Sequence, residues 1–411
     1  MEYLDLNIDL TEEDIDIRNA ARAFAQEVMK PIAKQLDTMT AEEVIAGGSP
    51  LWRFLKMAYE QNYHAILLPS EYGGVGLSTL QAHIVFEEMA AASVGLSVLL
   101  AVAGFPFLMA CMTGDDELIE DFVKPFCECR DASIIGCWAS TEPDHGSDMV
   151  MTGQENTNSS YKMNVQAEPD GDYWVINGQK SAWVSGGTIA THALLFPQID
   201  RNLGMMGGGI CICPLDLPGV SKGKPLEKVG QRDLNQGEIY FDNVRVPQKY
   251  MVCGPDSYPF MLEMVLSNAN ACMGVFATGI ARAAFEEAFE YSKVRVQGGK
   301  PIIEHTSVRQ RVFDMFSKVE ACRALSRAVL NYNLNNNPPF AEYSIAAKIR
   351  CTQMAFEVAH EAVQILGGNG LTREYMTEKL FRDARSMLIE DGNNEMLAAD
   401  GGRIISETYP R

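Results

Sequence analysis

The periodicity of the apolar residues changes twice along the chain, and this change restricts the folds that the chain can adopt. Before about residue 130, apolar side chains recur near helical spacing, as at Ala20 and Phe24, after a capping-box pattern at Thr11–Asp14. From about 132 to 250, short β-branched and aromatic runs alternate with turn signals, which is typical of strands. From about Ser257 onward the helical spacing returns. The sequence therefore predicts helices, then strands, then helices again.

This order predicts an α+β protein with several domains. The length of 411 residues allows two or three domains of the usual size of about 100–200 residues. We place an N-terminal helical domain at 1–131, a middle β-barrel or β-sandwich domain at 132–250 and a C-terminal helical bundle at 251–411. The bundle contains four segments with the lengths of helices, at 261–296, 305–333, 340–366 and 374–408.

The charge balance and the cysteines exclude several classes of function. The chain has 54 acidic and 34 basic side chains, a formal net charge of −20, whereas nucleic-acid binding needs clustered Lys and Arg. The ten cysteines are scattered without a CxxC pair, which predicts free buried thiols in a reducing compartment and no metal site. The acidic start Met1–Asp5 lacks the features of a signal peptide, so we expect a cytoplasmic protein.

One stretch is long enough to span a bilayer. Met89–Gly114 contains no charged side chain. The sequence Gly104–Pro106 is expected to interrupt it, leaving two shorter apolar segments. We therefore predict buried core helices and no membrane span. A second unusual stretch, the glycine-rich Gly204–Gly209, lacks a nucleotide-binding spacing and predicts a mobile surface loop.

Four segments carry residues suited to chemistry. The polar turn 141–148 (TEPDHGSD) offers hydroxyls and backbone N–H groups for a phosphate or a polar ring. Residues 176–187 predict a hairpin at Asn177-Gly178 that leads into an aromatic strand. Residues 363–370 predict a helix ending in glycines, and 389–395 form an acidic segment between apolar helices. Each segment alone equally fits an ordinary turn or helix cap.

Together, these segments resemble the flavin-dependent acyl-CoA dehydrogenase family along essentially the whole chain. TEPDHGSD (141–148), INGQK (176–180), VRVP (244–247) and QILGGNG (364–370) occur in the order of that family, and the acid-glycine pair 391–392 comes last. The resemblance implies an N-terminal helical domain, a middle β domain and a C-terminal four-helix bundle, usually in a homotetramer. It also implies an FAD cofactor, an acyl-CoA substrate and an electron-transfer flavoprotein as partner.

The resemblance assigns cofactor contacts to residues of these segments. Thr141 matches a hydroxyl that binds the flavin ring, and Ser147 matches one near the FAD pyrophosphate. Arg295 matches an arginine that reaches FAD phosphate across a subunit interface, and an arginine fork suits a phosphate. Five further residues fall in the cofactor-binding stretches, namely Trp183, Ser185, Gln364, Gly368 and Asn393.

Asp391 matches the position of the catalytic base in this family. There the carboxylate removes the α-proton of an acyl-CoA while a hydride leaves the β-carbon for flavin N5. A free aspartate has a pKa of about 3.9 and is a weak base, so burial against flavin and thioester is expected to raise its pKa toward neutrality. The alternative role of Asp391 is that of a helix-capping aspartate.

Five positions depart from the usual residues of the family. Asp391 stands where Glu is usual and Glu390 where Tyr is usual, Asn270 stands where Arg is common, Gly298 where Phe is common, and Trp183 is shifted by one position. Because Asp is one methylene shorter than Glu, its carboxylate lies roughly an ångström further from a given target. The shorter base favours a bulky, branched, alicyclic or aromatic acyl group.

The leading hypothesis is an acyl-CoA dehydrogenase that forms an enoyl-CoA and passes electrons to an electron-transfer flavoprotein. Two alternatives stay open. One is another flavin reaction at an acidic carbon, either that of nitroalkane oxidase, which uses Asp at this position, or that of an enoyl-CoA reductase. The other is a CoA-ester-binding or FAD-binding protein that has lost dehydrogenation.

Overall fold

The computed structural model describes residues 10–151, 160–336 and 338–409, so the acidic start on which the signal-peptide prediction rests lies outside the described residues. Helix α1 (Glu12–Phe24) begins with the predicted capping box. The Thr11 hydroxyl accepts the N–H of Asp14 at 3.2 Å, and the Asp14 carboxylate accepts the N–H of Thr11 at 3.0 Å. Two otherwise unpaired backbone donors are thereby satisfied at the helix start.

Seven further α-helices follow in the described part of the N-terminal region. Two π-helical turns connect α1 to α2 and α7 to α8, at Ala25–Met29 and Ile119–Val123. The helices are α2 (Lys30–Leu36), α3 (Ala41–Ile45), α4 (Pro50–Glu60), α5 (Thr79–Ala92), α6 (Val94–Thr113), α7 (Asp116–Leu118) and α8 (Lys124–Glu128).

The uncharged stretch is broken near its start and continues through its proline. Ser93 has an extended backbone and separates α5 from α6, where its hydroxyl accepts the N–H of Leu96 at 3.1 Å and donates to Asp233 at 2.6 Å. Pro106 lies inside α6, so the interruption expected at Gly104–Pro106 is wrong. The side-chain cap at Ser93 ends one helix and starts the next, and this local bonding decides the position of the break.

Two four-stranded sheets form the middle region. The first has the order β1 (Gly136–Ala139), β4 (His192–Leu195), β5 (Ile210–Pro214), β8 (Met251–Cys253), and the second has the order β2 (Gln166–Asp170), β3 (Tyr173–Lys180), β7 (Gly237–Pro247), β6 (Val220–Pro225). β1 pairs with β4 in parallel, with Trp138 opposite Leu194, and the other pairs are antiparallel. Leu195 of the first sheet and Ile176 of the second belong to one buried cluster, so the sheets pack face to face.

The predicted hairpin at Asn177-Gly178 is wrong. β3 continues through both residues to Lys180, and the register with β7 shifts between Ile176 and Gly178. Gly178 has a φ of 132°, and a Cβ there would lie 2.8 Å from the Cα of Val165. The Asn-Gly pair therefore makes a β-bulge, since only glycine fits this close approach. Turns, and not an aromatic strand, follow Lys180.

The glycine-rich stretch near residue 204 also differs from its prediction. Arg201–Gly207 forms two short 3₁₀ turns separated by a kink at Gly204, and Met205 and Met206 are buried. A Cβ on Gly207 would lie 1.8 Å from the carbonyl oxygen of Asp200. These glycines permit close backbone packing, so the interpretation as a surface loop is wrong.

Five α-helices lie in the C-terminal region, counted over the residues described up to 409. They are α9 (Tyr258–Val294), α10 (Thr306–Asn335), α11 (Ala341–Leu366), α12 (Thr377–Met387) and α13 (Asn394–Thr408), with a short hairpin of β9 (Val296–Gln297) and β10 (Lys300–Pro301) after α9. The segment 374–408 was expected as one helix, and it is two helices separated by residues 388–393. The break occurs where Asp391 and Gly392 both have positive φ, which a helix does not accept.

Among the residues that the structure describes, two helices, α6 and α9, are long and apolar enough to cross a membrane. In their most apolar windows, 83% and 94% of the residues are buried inside the protein. α9 packs against α5, α10 and α11. Both helices thus belong to the core, as the sequence predicts for α6.

Buried ion pairs join α5 to the C-terminal bundle. Glu88 and Arg282 of α9 form two hydrogen bonds of 2.7 and 2.8 Å, and Glu87 accepts from Arg323 of α10 at 2.8 Å. All four side chains are buried. Charges without water need such partners, so these pairs fix how the N-terminal helices sit on the bundle.

Candidate active site

The loop between α12 and α13, residues 388–393, carries Asp391 and is called the base loop here. Asp391 has a φ of 52° and Gly392 a φ of 97°, so two consecutive residues have left-handed backbone. A Cβ on Gly392 would also lie 2.9 Å from Leu397. Asp tolerates this conformation better than most residues, and Gly adopts it freely. The helix-capping residue is Asn393, which accepts the N–H of Glu395 at 2.8 Å.

A lysine of α11 lies beneath the base loop. Lys348 is fully buried, and its ammonium donates to the carbonyl oxygen of Gly392 at 2.6 Å and to Asn394 Oδ1 at 2.7 Å. Asn394 in turn donates to the hydroxyl of Thr352 at 3.1 Å. These hydrogen bonds attach the base loop to α11. Sequence reasoning did not select Lys348, although a lysine among apolar helix positions is a signal of a buried partner.

Two carboxyls of the base loop have perturbed acidity. Burial raises the pKa of Asp391, and the charge of Lys348 opposes that rise. Burial and the charge of Asp391 raise the pKa of Glu390 to about 7, against the hydrogen bond that Gln231 donates to it. Burial lowers the pKa of Lys348 to about 8. Perturbed titratable groups gathered in one place are typical of catalytic sites.

The turn 141–148 reaches the base loop from the middle region. The hydroxyl of Ser147 accepts the backbone N–H of Asn393 at 2.9 Å, which brings together two residues that the resemblance places beside FAD. The hydroxyls of Thr141 and Ser181 lie 2.7 Å apart. Ser181 was not selected from the sequence, and its polar position directly after β3 was the available signal.

A buried ion pair holds this turn in place. The Lys180 ammonium donates to Glu142 at 2.8 Å and to the carbonyl oxygens of Ser140 and Phe196. Glu142 also accepts the backbone N–H of Val165 at 3.1 Å. Lys180 and Glu142 are both buried, so this network fixes the start of the turn against β3.

Trp183 and Ser185 lie on the turns after β3. Trp183 is 59% exposed, an unusual position for a large aromatic side chain, and Ser185 Oγ accepts from Gln236 Nε2 at 3.1 Å. The carbonyl oxygen of Trp183 is 3.3 Å from the same amide. Hydrogen bonding therefore fixes the backbone of Trp183, whereas its aromatic ring stays exposed.

The remaining predicted cofactor residues lie at two clefts. Arg295 lines a cleft of about 800 Å³ together with Tyr291 and Asn369, and Gln364 lines another of about 400 Å³ together with Gly298. A Cβ on Gly368 would meet no atom within 4 Å. The described lining residues of these clefts do not include Asp391, Thr141 or Ser147. One chain therefore presents its predicted cofactor residues in separate places.

A small cavity lies against α9, lined by Glu263, Ser267, Asn270, Leu397 and Asp400 among others. Ser267 Oγ and Asn270 Oδ1 are buried and have no hydrogen-bond partner among the described residues. A buried polar atom without a partner costs about 1–3 kcal/mol, so a ligand or water that supplies a hydrogen bond is stabilised there.

The donors of the site fit a flavin dinucleotide. A flavin ring system needs hydroxyls and an aromatic surface, and the turn 141–148 and the exposed ring of Trp183 offer these. A diphosphate needs open backbone and a cation, and Gly368 and the exposed Arg295 offer these. Within the residues that the structure describes, no group of His, Cys, Asp and Glu could hold a metal ion. The ten cysteines are free, and nine of them are buried, as predicted.

Comparison with known proteins identifies the family of the chain. Models of the acyl-CoA dehydrogenase N-terminal, middle and C-terminal domains match residues 11–130, 137–244 and 260–405. The short-chain specific acyl-CoA dehydrogenase of Mus musculus mitochondria is 30% identical over 95% of this chain and 89% of that protein. The 3-(aryl)acrylate reductase of Clostridium sporogenes is 31% identical over 94% of this chain and 96% of that protein.

Solved structures show the same architecture. Butyryl-CoA dehydrogenase of Megasphaera elsdenii superimposes with a TM-score of 0.85 and 26% identity, over 98% of this chain and 100% of that chain. A nitroalkane oxidase superimposes with a TM-score of 0.88 but 21% identity, over 98% of each chain, which supports the shared fold alone. The predicted fold class is therefore confirmed. The chain belongs to the acyl-CoA dehydrogenase family of FAD-dependent oxidoreductases.

Proposed function

We propose that the protein oxidises the α,β-carbon bond of an acyl-CoA thioester to give an enoyl-CoA, with Asp391 as the base. The observation that supports this most strongly is the placement of Asp391: burial raises the pKa of its carboxyl, and the neighbouring Asn393 is bonded to Ser147 of the hydroxyl-bearing turn. A carboxylate with a raised pKa accepts a carbon-bound proton more readily than one at the ordinary value.

The proton to be removed is made acidic by the thioester carbonyl. As the proton leaves, negative charge develops on the carbonyl oxygen, and a backbone N–H aimed at that oxygen stabilises it. We assign this role to the N–H of Asp391. Bound FAD would supply the acceptor for the hydride of the β-carbon. We assign Thr141, Ser147, Trp183, Ser185, Arg295, Gln364, Gly368 and Asn393 to the binding of FAD.

The cavity beside α9 is proposed as part of the path of the CoA ester. Ser267 and Asn270 present oxygen atoms there that lack hydrogen donors. The arm of coenzyme A carries amide N–H groups, which are donors of the required kind. The proposed base Asp391 has a shorter side chain than Glu, which supports an acyl group that is bulky, branched, alicyclic or aromatic. Such a group places its α-carbon at a different position in the site than a straight chain does.

The clefts at Arg295 and Gln364 support an oligomer. Because neither cleft has Asp391, Thr141 or Ser147 among its described lining, these residues are proposed to bind the FAD of a neighbouring subunit in a homotetramer. We further propose domains at 1–131, 132–250 and 251–411, a cytoplasmic location, and transfer of the electrons to an electron-transfer flavoprotein.

One relative favours a second candidate, the reverse reaction. The 3-(aryl)acrylate reductase of Clostridium sporogenes, by its name, reduces a double bond next to an aryl group, and it matches nearly the whole of this chain. The same base position would then return a proton to the α-carbon. The direction depends on the electron partner and the substrate.

Anaerobic bleaching of the bound flavin tests the proposal. The FAD-loaded protein is mixed with short-chain, branched, alicyclic and aryl acyl-CoA thioesters, and loss of flavin absorbance is followed. Rapid bleaching by one class supports dehydrogenation and identifies the acyl group. Nitroalkanes are added in a separate anaerobic run. Bleaching only by nitroalkanes, with oxygen consumption once air is admitted, would favour an oxidase, and tight ligand binding without bleaching would favour a binding protein. Faster oxidation of chemically reduced enzyme by an aryl acrylate or its CoA ester would favour the reductase.

A further inference from the structure

Lys348 differs from the other buried lysines in the partners of its charge. Lys180 is paired with Glu142 at 2.8 Å, and Lys379 is paired with Asp383. Lys348 is equally buried, yet its hydrogen bonds go to a backbone carbonyl and an amide oxygen, and no carboxylate of the described residues forms a salt bridge with it. Neutral acceptors satisfy the N–H groups of an ammonium but do not cancel its charge.

The uncancelled charge acts on the base loop. Lys348 lowers the pKa of both Asp391 and Glu390, and their negative charges in turn raise the pKa of Lys348 against the effect of burial. Asp391 is also close enough to Cys272 of α9 to raise the pKa of that thiol. From the middle region, Lys228 and Gln231 face Glu390. Lys348 is thus the cation that acts on Asp391 from the bundle.

We propose that Lys348 is a positioning residue for Asp391: its ammonium fastens the base loop to α11 and supplies the countercharge that keeps the Asp391 carboxylate ionised in its partly buried position. The hydrogen bonds to Gly392 and Asn394 lie on both sides of the loop's left-handed turn, so the same group holds the backbone and sets the charge. The electrostatic part stands independently of the reaction, whereas the consequence for catalysis rests on the proposed function.

A double-mutant cycle tests the electrostatic part without any substrate. The melting temperatures of FAD-loaded wild type, Lys348→Gln, Asp391→Asn and the double variant are compared at neutral pH. Removing the carboxylate is expected to raise the melting temperature more in the Lys348→Gln background, because there the carboxylate has lost its countercharge. An equal change in both backgrounds overturns the proposal, whatever the enzyme proves to catalyse.

The pH dependence of flavin reduction tests the consequence for catalysis. In Lys348→Met and Lys348→Gln the midpoint at which reduction becomes fast is expected to rise by about one pH unit or more, since an opposite charge nearby typically lowers an Asp pKa by about 1–3 units. Lys348→Arg, which keeps the charge, is expected to retain the wild-type midpoint. Lys348→Gln keeps a hydrogen-bond donor, so it answers the question if Lys348→Met does not fold.

Asn394→Ala is the matched control. It removes one acceptor of the ammonium while the charge remains, so the rate is expected to fall without a shift of the midpoint. Slower reduction with an unchanged midpoint in both neutral Lys348 variants would reduce Lys348 to a purely structural role and overturn the proposal. If the wild type is not reduced by any acyl-CoA, the proposed function fails, and the melting cycle alone decides the inference.

Discussion

The backbone N–H of Asn393 donates to the hydroxyl of Ser147 across 2.9 Å, although the two residues are 246 positions apart in the chain. This hydrogen bond joins the base loop of the bundle to the polar turn of the β region. Both residues are also proposed to bind FAD. The loop that carries the proposed base is thus held by a contact between two residues that are proposed to bind the cofactor.

Replacing Ser147 by Ala is expected to slow substrate-driven flavin reduction by about tenfold, because the N–H of Asn393 loses its acceptor and the base loop loosens. Stopped-flow absorbance at saturating acyl-CoA measures this rate. Ser406→Ala, which removes an exposed hydroxyl of α13, serves as control and should leave the rate unchanged. Equal rates for Ser147→Ala and wild type would show that the hydrogen bond does not matter for catalysis.

Asp391→Asn is expected to retain FAD and to lose flavin reduction by about 10²–10⁴-fold or more, because the amide has the same shape but cannot accept the proton. The loss should appear in the reduction rate and not in the FAD content, which absorbance ratios report. Near-normal reduction by the variant would rule out Asp391 as the base.

Glu390→Gln is expected to stabilise the protein in a pH-dependent way. The folded pKa of Glu390 is about 7, above the ordinary 4.5, so its contribution to stability falls as the pH rises from about 4.5 through 7. The amide removes this loss, so the variant should melt higher than the wild type at pH 8 and by a smaller margin at pH 5. A difference that does not depend on pH would contradict the raised pKa.

Lys180→Met is expected to reduce the free energy of unfolding by about 3–5 kcal/mol, because it leaves the buried Glu142 carboxylate without its partner. Urea titration followed by circular dichroism measures the change. Lys124→Met breaks the exposed pair with Glu120 and should cost about 1 kcal/mol or less. Similar losses of free energy of unfolding in both variants would show that the buried pair contributes no more to stability than the exposed pair.

Arg295→Ala is expected to weaken FAD binding by about tenfold or more, since a hydrogen bond to a charged group contributes about 1.5–3 kcal/mol. Equilibrium dialysis of the flavin measures the dissociation constant. Lys293→Ala removes an exposed cation two residues away, which is paired with Glu290, and should leave the constant unchanged. Equal constants for the Arg295 and Lys293 variants would place the FAD phosphates elsewhere.

The order of helices and strands could be predicted because periodicity is a local property. The positions at which helices and strands are interrupted could not be predicted in this way. The helix α6 continues through Pro106, although proline lacks a backbone N–H, and the break occurs at Ser93 instead. There the serine hydroxyl caps the start of α6 and donates a hydrogen bond to Asp233. Asn177-Gly178 has the composition of a hairpin turn, yet it forms a bulge because Val165 approaches Gly178 closely.

The part of the candidate site that lies in local sequence motifs could also be predicted. Thr141, Ser147 and Asp391 stand in recognisable motifs, whereas Lys348 and Ser181 act through contacts with residues distant in sequence. Lys348 lies 42 or more positions from the base loop residues that it affects. The effect of the Lys348 charge on the carboxyls of the base loop becomes visible only when α11 is packed under that loop.

The left-handed backbone at Asp391 and Gly392 limits which residues this enzyme can carry at position 391. Asn and Gly are the replacements at position 391 that the backbone accepts readily, and neither is a base. Glu at this position would put a longer side chain on a conformation that costs such residues roughly 1–2 kcal/mol. The identity of residue 391, the proposed base, and the backbone conformation of the base loop are therefore coupled.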